Sequence, residues 1–162
     1  MYKKICFLFI AIGLVVLSSF TYSETQKKVK CLIQMKSYEG ERAYAVISLI
    51  NPDNEYEETL YVNGKDDEWY YDITNWWSFY GKKRTELDGI SGATIGGGEQ
   101  AICVFAIDEE KINKGYKIVF ETAVEDEEYF PKDLEFELTS ENLKAKIAGS
   151  GYINFVRMMA YN

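Results

Sequence analysis

Apolar and polar residues alternate with period two over most of this chain. Val29, Cys31, Ile33 and Met35 fall on one face of an extended segment, the pattern of a strand buried on one side. Tyr44 to Ile50 is more continuously apolar and ends at Asn51-Pro52-Asp53-Asn54, where amide and acid side chains and a fixed proline φ favour a turn. Thr59 to Val62 is a third strand, followed by Asn63-Gly64, a dipeptide suited to a two-residue hairpin. Further on, Ala101 to Ile107 and Tyr116 to Val124 read as an antiparallel pair. Leu134, Phe136 and Leu138 alternate with Asp133, Glu135 and Glu137, and Leu143, Ala145 and Ile147 alternate with Lys144 and Lys146. Gly149-Ser150-Gly151 then turns the chain into a last strand from Tyr152 to about Tyr161.

One segment breaks the alternation. Trp69, Ile73, Trp76, Trp77 and Tyr80 recur at three- and four-residue steps, a helical stripe. Asp66 and Asp67 can cap its start and Gly81 can end it. The pattern predicts a mainly β fold, an antiparallel β-sandwich of immunoglobulin-like type. One short Trp-rich helix would cover an edge or an open end.

The N-terminus changes where this fold is expected to work. Met1-Tyr2-Lys3-Lys4 precedes an apolar run from Ile5 to Leu17, and small and polar residues follow to Ser23. A basic start, a short apolar stretch and a small-residue exit form a secretory signal peptide. The apolar run is shorter than the roughly 20 residues of a membrane-spanning helix. The expected organisation is a signal peptide over 1–23 and a single β-sandwich domain over 24–162, exported to the periplasm or beyond, with no stable span after cleavage. Losing Lys3 and Lys4 from 18 basic residues leaves 16 against 26 acids, a net charge of −10. That balance disfavours nucleic acid and anionic lipid as partners.

Chemistry is bounded by what the chain lacks. There is no histidine, which excludes Ser-His-Asp and Cys-His catalysis and histidine-held zinc or haem on this chain. The acid runs Asp66-Asp67-Glu68 and Glu125-Asp126-Glu127-Glu128 lack the alternating ligand spacing of a calcium loop, so they read as solvated loops and no metal is expected. Cys31 and Cys103 either form one disulfide closing a long loop in an oxidising compartment or remain two separate buried thiols. The chain is therefore expected to be no enzyme.

The candidate site is the run Asp88-Gly89-Ile90-Ser91-Gly92-Ala93-Thr94-Ile95-Gly96-Gly97-Gly98. Glycines admit close approach of a ligand to the main chain, and clustered N–H and hydroxyl groups can cradle a phosphate. Asp88, Ser91, Gly92 and Thr94 are the candidate cofactor-binding residues. The alternative is a turn in which Asp88 and Ser91 bond their own backbone. Trp69, Trp76 and Trp77 are core candidates first. Neighbours on a helix point roughly 100° apart, however, so Trp76 and Trp77 cannot share one seam and one of that pair is expected to line a groove; Trp69, Trp76 and Trp77 are the candidates for a partner or ligand groove.

The order of these features resembles domain-of-unknown-function family 2271, exported bacterial proteins predicted to be periplasmic. The resemblance runs from about Cys31 to Tyr161. It rests on Arg42-Ala43-Tyr44-Ala45-Val46, Thr59-Leu60-Tyr61, Trp69 and the Trp76-Trp77 pair. It continues through Asp88-Gly89-Ile90-Ser91-Gly92-Ala93-Thr94 and closes on Gly115-Tyr116-Lys117-Ile118-Val119-Phe120-Glu121. Genes of that family often lie near flavin transferases, so the resemblance implies an accessory role in flavin-linked electron transfer across the envelope, exerted on a redox protein partner. The loop is also similar to the attachment motif of covalent flavin mononucleotide (FMN) domains, where a hydroxyl residue two places beyond Ser-Gly-Ala-Thr receives the flavin. Gly96 stands at that position here, so the usual phosphoester cannot form, and Thr94 is the nearest substitute. Three readings follow: an accessory or binding domain, a flavoprotein binding FMN through the Asp88 to Thr94 loop, and a structural assembly or adhesion module.

Overall fold

The computed structural model of the protein describes residues 25–83, 87 and 89–160. The leader expected over 1–23, the candidate Asp88 and the end of the last strand at Tyr161 lie outside the described residues. The strands in chain order are β1 (Gln26–Met35), β2 (Tyr44–Ile50), β3 (Tyr56–Asn63), β4 (Ser91–Gly92), β5 (Gln100–Asp108), β6 (Lys117–Ala123), β7 (Tyr129–Glu137), β8 (Lys146–Ala148) and β9 (Ile153–Ala160). They form a four-stranded sheet, β5-β1-β9-β8, and a five-stranded sheet, β4-β3-β2-β6-β7. Every pairing between these strands is antiparallel except β3 with the two-residue β4.

The period-two pattern becomes the sandwich interior. Val29, Cys31, Ile33 and Met35 from β1 join Phe105 and Ile107 from β5 and Val156 and Met158 from β9. Against them pack Ala45, Ile47 and Leu49 of β2, Leu60 of β3, Phe120 of β6 and Leu134 and Phe136 of β7. β2 reads as continuously apolar because it is covered twice. Its Val46 faces away from the interior and joins Val62, Ala123, Tyr70, Ile73 and Trp76 in a second cluster. The aromatic segment therefore lies over the outer face of the five-stranded sheet, not over an edge or an open end.

That segment is two helices rather than one. A 3-10 stretch over Asp67–Asp72 starts at Asp66, whose carboxylate accepts from the Glu68 N–H at 3.1 Å. It breaks at Ile73, and α1 (Thr74–Lys83) follows. Tyr70, Ile73 and Trp76 are all buried and recur every three residues, the step that a 3-10 turn brings onto one face. Gly81, expected as the stop, lies inside α1.

Several local expectations give way to the tertiary arrangement. β5 and β6 are consecutive strands but belong to opposite sheets, β5 pairing with β1 and β6 with β2 and β7. Asn63-Gly64 forms no hairpin; β3 leaves the sheet there for the 3-10 stretch. Gly64 is needed for a different reason. Its φ is +130°, and a Cβ would lie 2.1 Å from the Tyr44 ring. Residues Asn142–Lys144 form a 3-10 turn, leaving only Lys146–Ala148 as a strand. Asp133, expected outward, is buried. Its carboxylate accepts from Thr122 Oγ1 (2.7 Å) and from the N–H groups of Gly151 (2.7 Å) and Ile153 (2.8 Å), joining the two sheets across their edge.

Candidate functional site

The glycine run is stitched to the sandwich on both sides. Ser91 and Gly92 form β4 beside Val62 and Asn63. The Val62 N–H donates to Ile90 O (2.9 Å), the Gly64 N–H to Gly92 O (2.8 Å) and the Asn63 side-chain amide to Ala93 O (3.1 Å). Ile95 exchanges backbone bonds of 2.8 and 2.9 Å with Ala43 and buries its side chain in the core. Gly97 lies flat on the Tyr38 backbone, where a Cβ would stand 2.2 Å from the carbonyl oxygen.

Charges close the rest of the run. Arg42 donates to Thr94 O from Nε (3.2 Å) and Nη2 (2.8 Å), and grips the Glu99 carboxylate with Nη1 (2.9 Å) and Nη2 (2.5 Å). Glu99 in turn accepts from the Gly96 N–H at 3.1 Å. Its carboxyl is held below the usual range, first by the Arg42 hydrogen bond and then by the Gly96 N–H. The N–H groups of Ile90, Ile95, Gly96, Gly98 and Glu99 thus all have acceptors within the chain. Ser91, Gly92 and Thr94 are brought together on this ribbon, and the Gly96 N–H is taken up by the Glu99 carboxylate. Arg42 and Glu99 lie outside the motif, and their pairing across the fold left no mark in the local sequence.

The side of the loop at Thr94 opens on Trp69. A cavity of about 140 Å³ is lined by Glu41, Arg42, Tyr44, Trp69, Thr94 and Glu125. A second, of about 210 Å³, shares Trp69 and Glu125 and runs on past Tyr71, Asp72, Asp126 and Tyr129. Trp69 is a half-buried ridge between them, and Tyr71 beside it is 50% exposed. The carboxylates come from three segments: the β1–β2 connection (Glu41), the 3-10 stretch (Asp72) and the β6–β7 turn (Glu125, Asp126 and Glu127). Burial and the neighbouring acids together disfavour further negative charge in the groove. Burial and then Asp126, Glu41, Asp72 and Glu68 push the Glu125 carboxyl up. Burial and then Asp126 raise Asp72, and burial and then Asp66 and Glu125 raise the Tyr44 phenol. Of the two acid runs, Glu125, Asp126 and Glu127 of the second line these cavities, while Asp66, Asp67 and Glu68 of the first are exposed just before Trp69.

The other two indoles have different positions. Trp76 is fully buried, its Nε1 donating to Thr59 Oγ1 at 2.9 Å and its ring stacked on Tyr80 at 4.6 Å. Trp77 is half-buried, tilted against Tyr80 and close to Gly81. Beneath Trp76 lies a group the sequence did not single out. Glu121 of β6 is wholly buried and accepts from the Tyr56 and Tyr129 hydroxyls and from the Trp76 N–H. The Asn75 N–H donates to Tyr129 at 3.0 Å. An acid in the middle of an otherwise apolar strand was the available signal. Its carboxylate faces the first turn of α1, where free N–H groups favour an anion.

A family model described as "Predicted periplasmic protein (DUF2271)" matches residues 26–155. No curated protein and no solved structure matches the chain. Among the described residues, no helix is long and apolar enough to cross a membrane.

Proposed function

Because the chain belongs to domain-of-unknown-function family 2271, a family of predicted periplasmic proteins, we propose that it is a non-catalytic accessory domain that binds an envelope protein partner. The contact surface is the groove around Trp69. The observation that carries this reading is the convergence of Glu41, Asp72, Glu125 and Asp126 on cavities that share one half-buried indole. Carboxylates around an aromatic face attract a lysine or arginine side chain by charge and by the ring quadrupole together. A rigid aromatic anchor in a pocket is also the usual centre of an interface. The partner therefore presents a basic segment. By the same charges the groove disfavours a phosphate dianion.

The family resemblance makes a flavin-linked redox protein the partner of choice. The test is co-purification from envelope extract with wild-type protein, Trp69→Ala and Glu125→Lys. The expected result is one partner retained by wild type and lost by both variants, with weakening at high salt. An identical set of bound proteins in all three would end this reading.

A second reading, FMN held by this chain, is favoured by one observation: Thr94 and Trp69 line the same cavity. An absorbance spectrum with intact mass, on protein exported alongside a flavin transferase, tests it. Flavin colour with added mass would mean attachment, with Thr94 the nearest hydroxyl. Colour lost on denaturation would mean reversible binding, and a colourless protein of apo mass removes the reading.

A further inference from the structure

Four strands lie at the margins of the two sheets: β5 and β8 in one, β4 and β7 in the other. A marginal strand presents unpaired N–H and C=O groups, and proteins protect such edges by shortness, charge or proline. Three of the four are protected in this way. β4 has two residues, and β8 has three and carries Lys146. β7 carries Pro131, Lys132, Glu135 and Glu137. β5 has none of these devices: it runs nine residues with no proline and no charge before Asp108. Among the described residues no segment pairs with its outer side.

The register identifies which groups are left open. The Met35 N–H donates to Glu99 O and the Glu109 N–H to Thr25 O, both at 3.0 Å, and the pairs between them include Cys31 with Cys103. In an antiparallel ladder such hydrogen-bonded pairs alternate with pairs that do not bond each other. Residues 101, 103, 105 and 107 therefore bond β1, while Ile102, Val104 and Ala106 direct their N–H and C=O groups away from the sheet. Their side chains alternate with buried Cys103, Phe105 and Ile107 and so stand on the outer face, where Ile102 is 56% exposed. Their neighbours on β1 are Leu32, Lys30 and Lys28, with no acid among them.

We propose that β5 is a self-pairing edge: two copies of this chain join antiparallel through it and merge their four-stranded sheets into one. An antiparallel edge is self-complementary under a two-fold axis. With the axis at Val104, Ile102 meets Ala106 of the second copy and Val104 meets its own counterpart, so apolar groups cover apolar groups on the exposed face. A second copy is the occupant because of charge. In a chain of net charge −8, most surfaces repel their own copies, whereas the segment from Gln100 to Ile107 carries no charge to repel. The acid groove at Trp69 is on the other sheet and stays open in the dimer.

The test is light scattering on the exported, processed chain over a range of concentrations with thiols kept reduced. It is combined with amide exchange and with two variants. Ile102→Lys charges the exposed face, and Val104→Pro removes one outward N–H at a position where an edge strand tolerates proline. The expected result is a doubled mass for wild type, slowed exchange at Ile102, Val104 and Ala106 as concentration rises, and a monomer with unchanged circular dichroism for Ile102→Lys. A wild type that stays monomeric at every concentration overturns the proposal. So does a dimer that survives in both variants, or one whose protected amides lie outside β5.

Discussion

Glu121 is the residue at which burial and charge are most directly opposed. Burial drives its carboxyl above the usual range, and the hydrogen bonds from Tyr129, Tyr56 and the Trp76 N–H only partly offset this. A folded state that holds its proton to higher pH than the unfolded state loses stability as pH rises through that window. Urea denaturation from about pH 4 to about pH 8 should show this decline, and Glu121→Gln should flatten it. Glu121→Leu strands two hydroxyls and a helix N–H, and should cost about 3 kcal/mol in the same measurement. Cys31 and Cys103 are a second residue-scale case. The Cys103 thiol lies 3.7 Å from Cys31 O, and both side chains are buried. The hydrogen bond from Cys103 and then burial push the Cys31 thiol far up. Because both side chains are buried, both should resist alkylation in the native protein and react once unfolded. Failure to react in denaturant without reductant would reveal a disulfide instead. Pairing was left open by the sequence because it depends on register across 72 positions, which no local pattern encodes.

At the scale of elements, periodicity located the strands but not their neighbours. Alternation in Ala101 to Ile107 reports one buried face and is silent on which sheet buries it, so sequence order suggested a hairpin with β6 that the chain does not form. The helical stripe was legible in Ile73, Trp76 and Tyr80, which pack on the sheet, but Tyr70 and not Trp69 is the buried residue of its first turn. Its division at Ile73 was not legible, since steps of three and four suit either helix type over so short a span. Trp76→Ala should lower stability by about 3–5 kcal/mol in chemical denaturation, a large buried ring being removed together with its bond to Thr59. Trp77→Ala, on the half-buried face, should cost clearly less. Gly97→Ala forces a side chain onto the Tyr38 backbone. It should lower the melting temperature well below that of wild type, whereas Ser91→Ala should leave it nearly unchanged.

For the whole molecule, the site arises from separation in sequence and meeting in space. Each acid run looked solvated by itself, and the glycine run looked like the centre of function because its chemistry was contiguous. The structure shows how the two regions lie in the fold. The glycine run becomes a rim tied down by Arg42 and Glu99, and Trp69 with Glu125 and Asp72 becomes the open feature. The long-range charge of such a groove acts on association rate, which predicts partner binding that slows steeply with ionic strength. The most direct measurement places a photo-crosslinking residue at position 69 in the exported protein in cells, with the exposed position 78 on α1 as control. The account predicts a discrete protein adduct from 69 that is absent from 78 and lost with Glu125→Lys. No adduct at 69, or the same adducts from both positions, would contradict it.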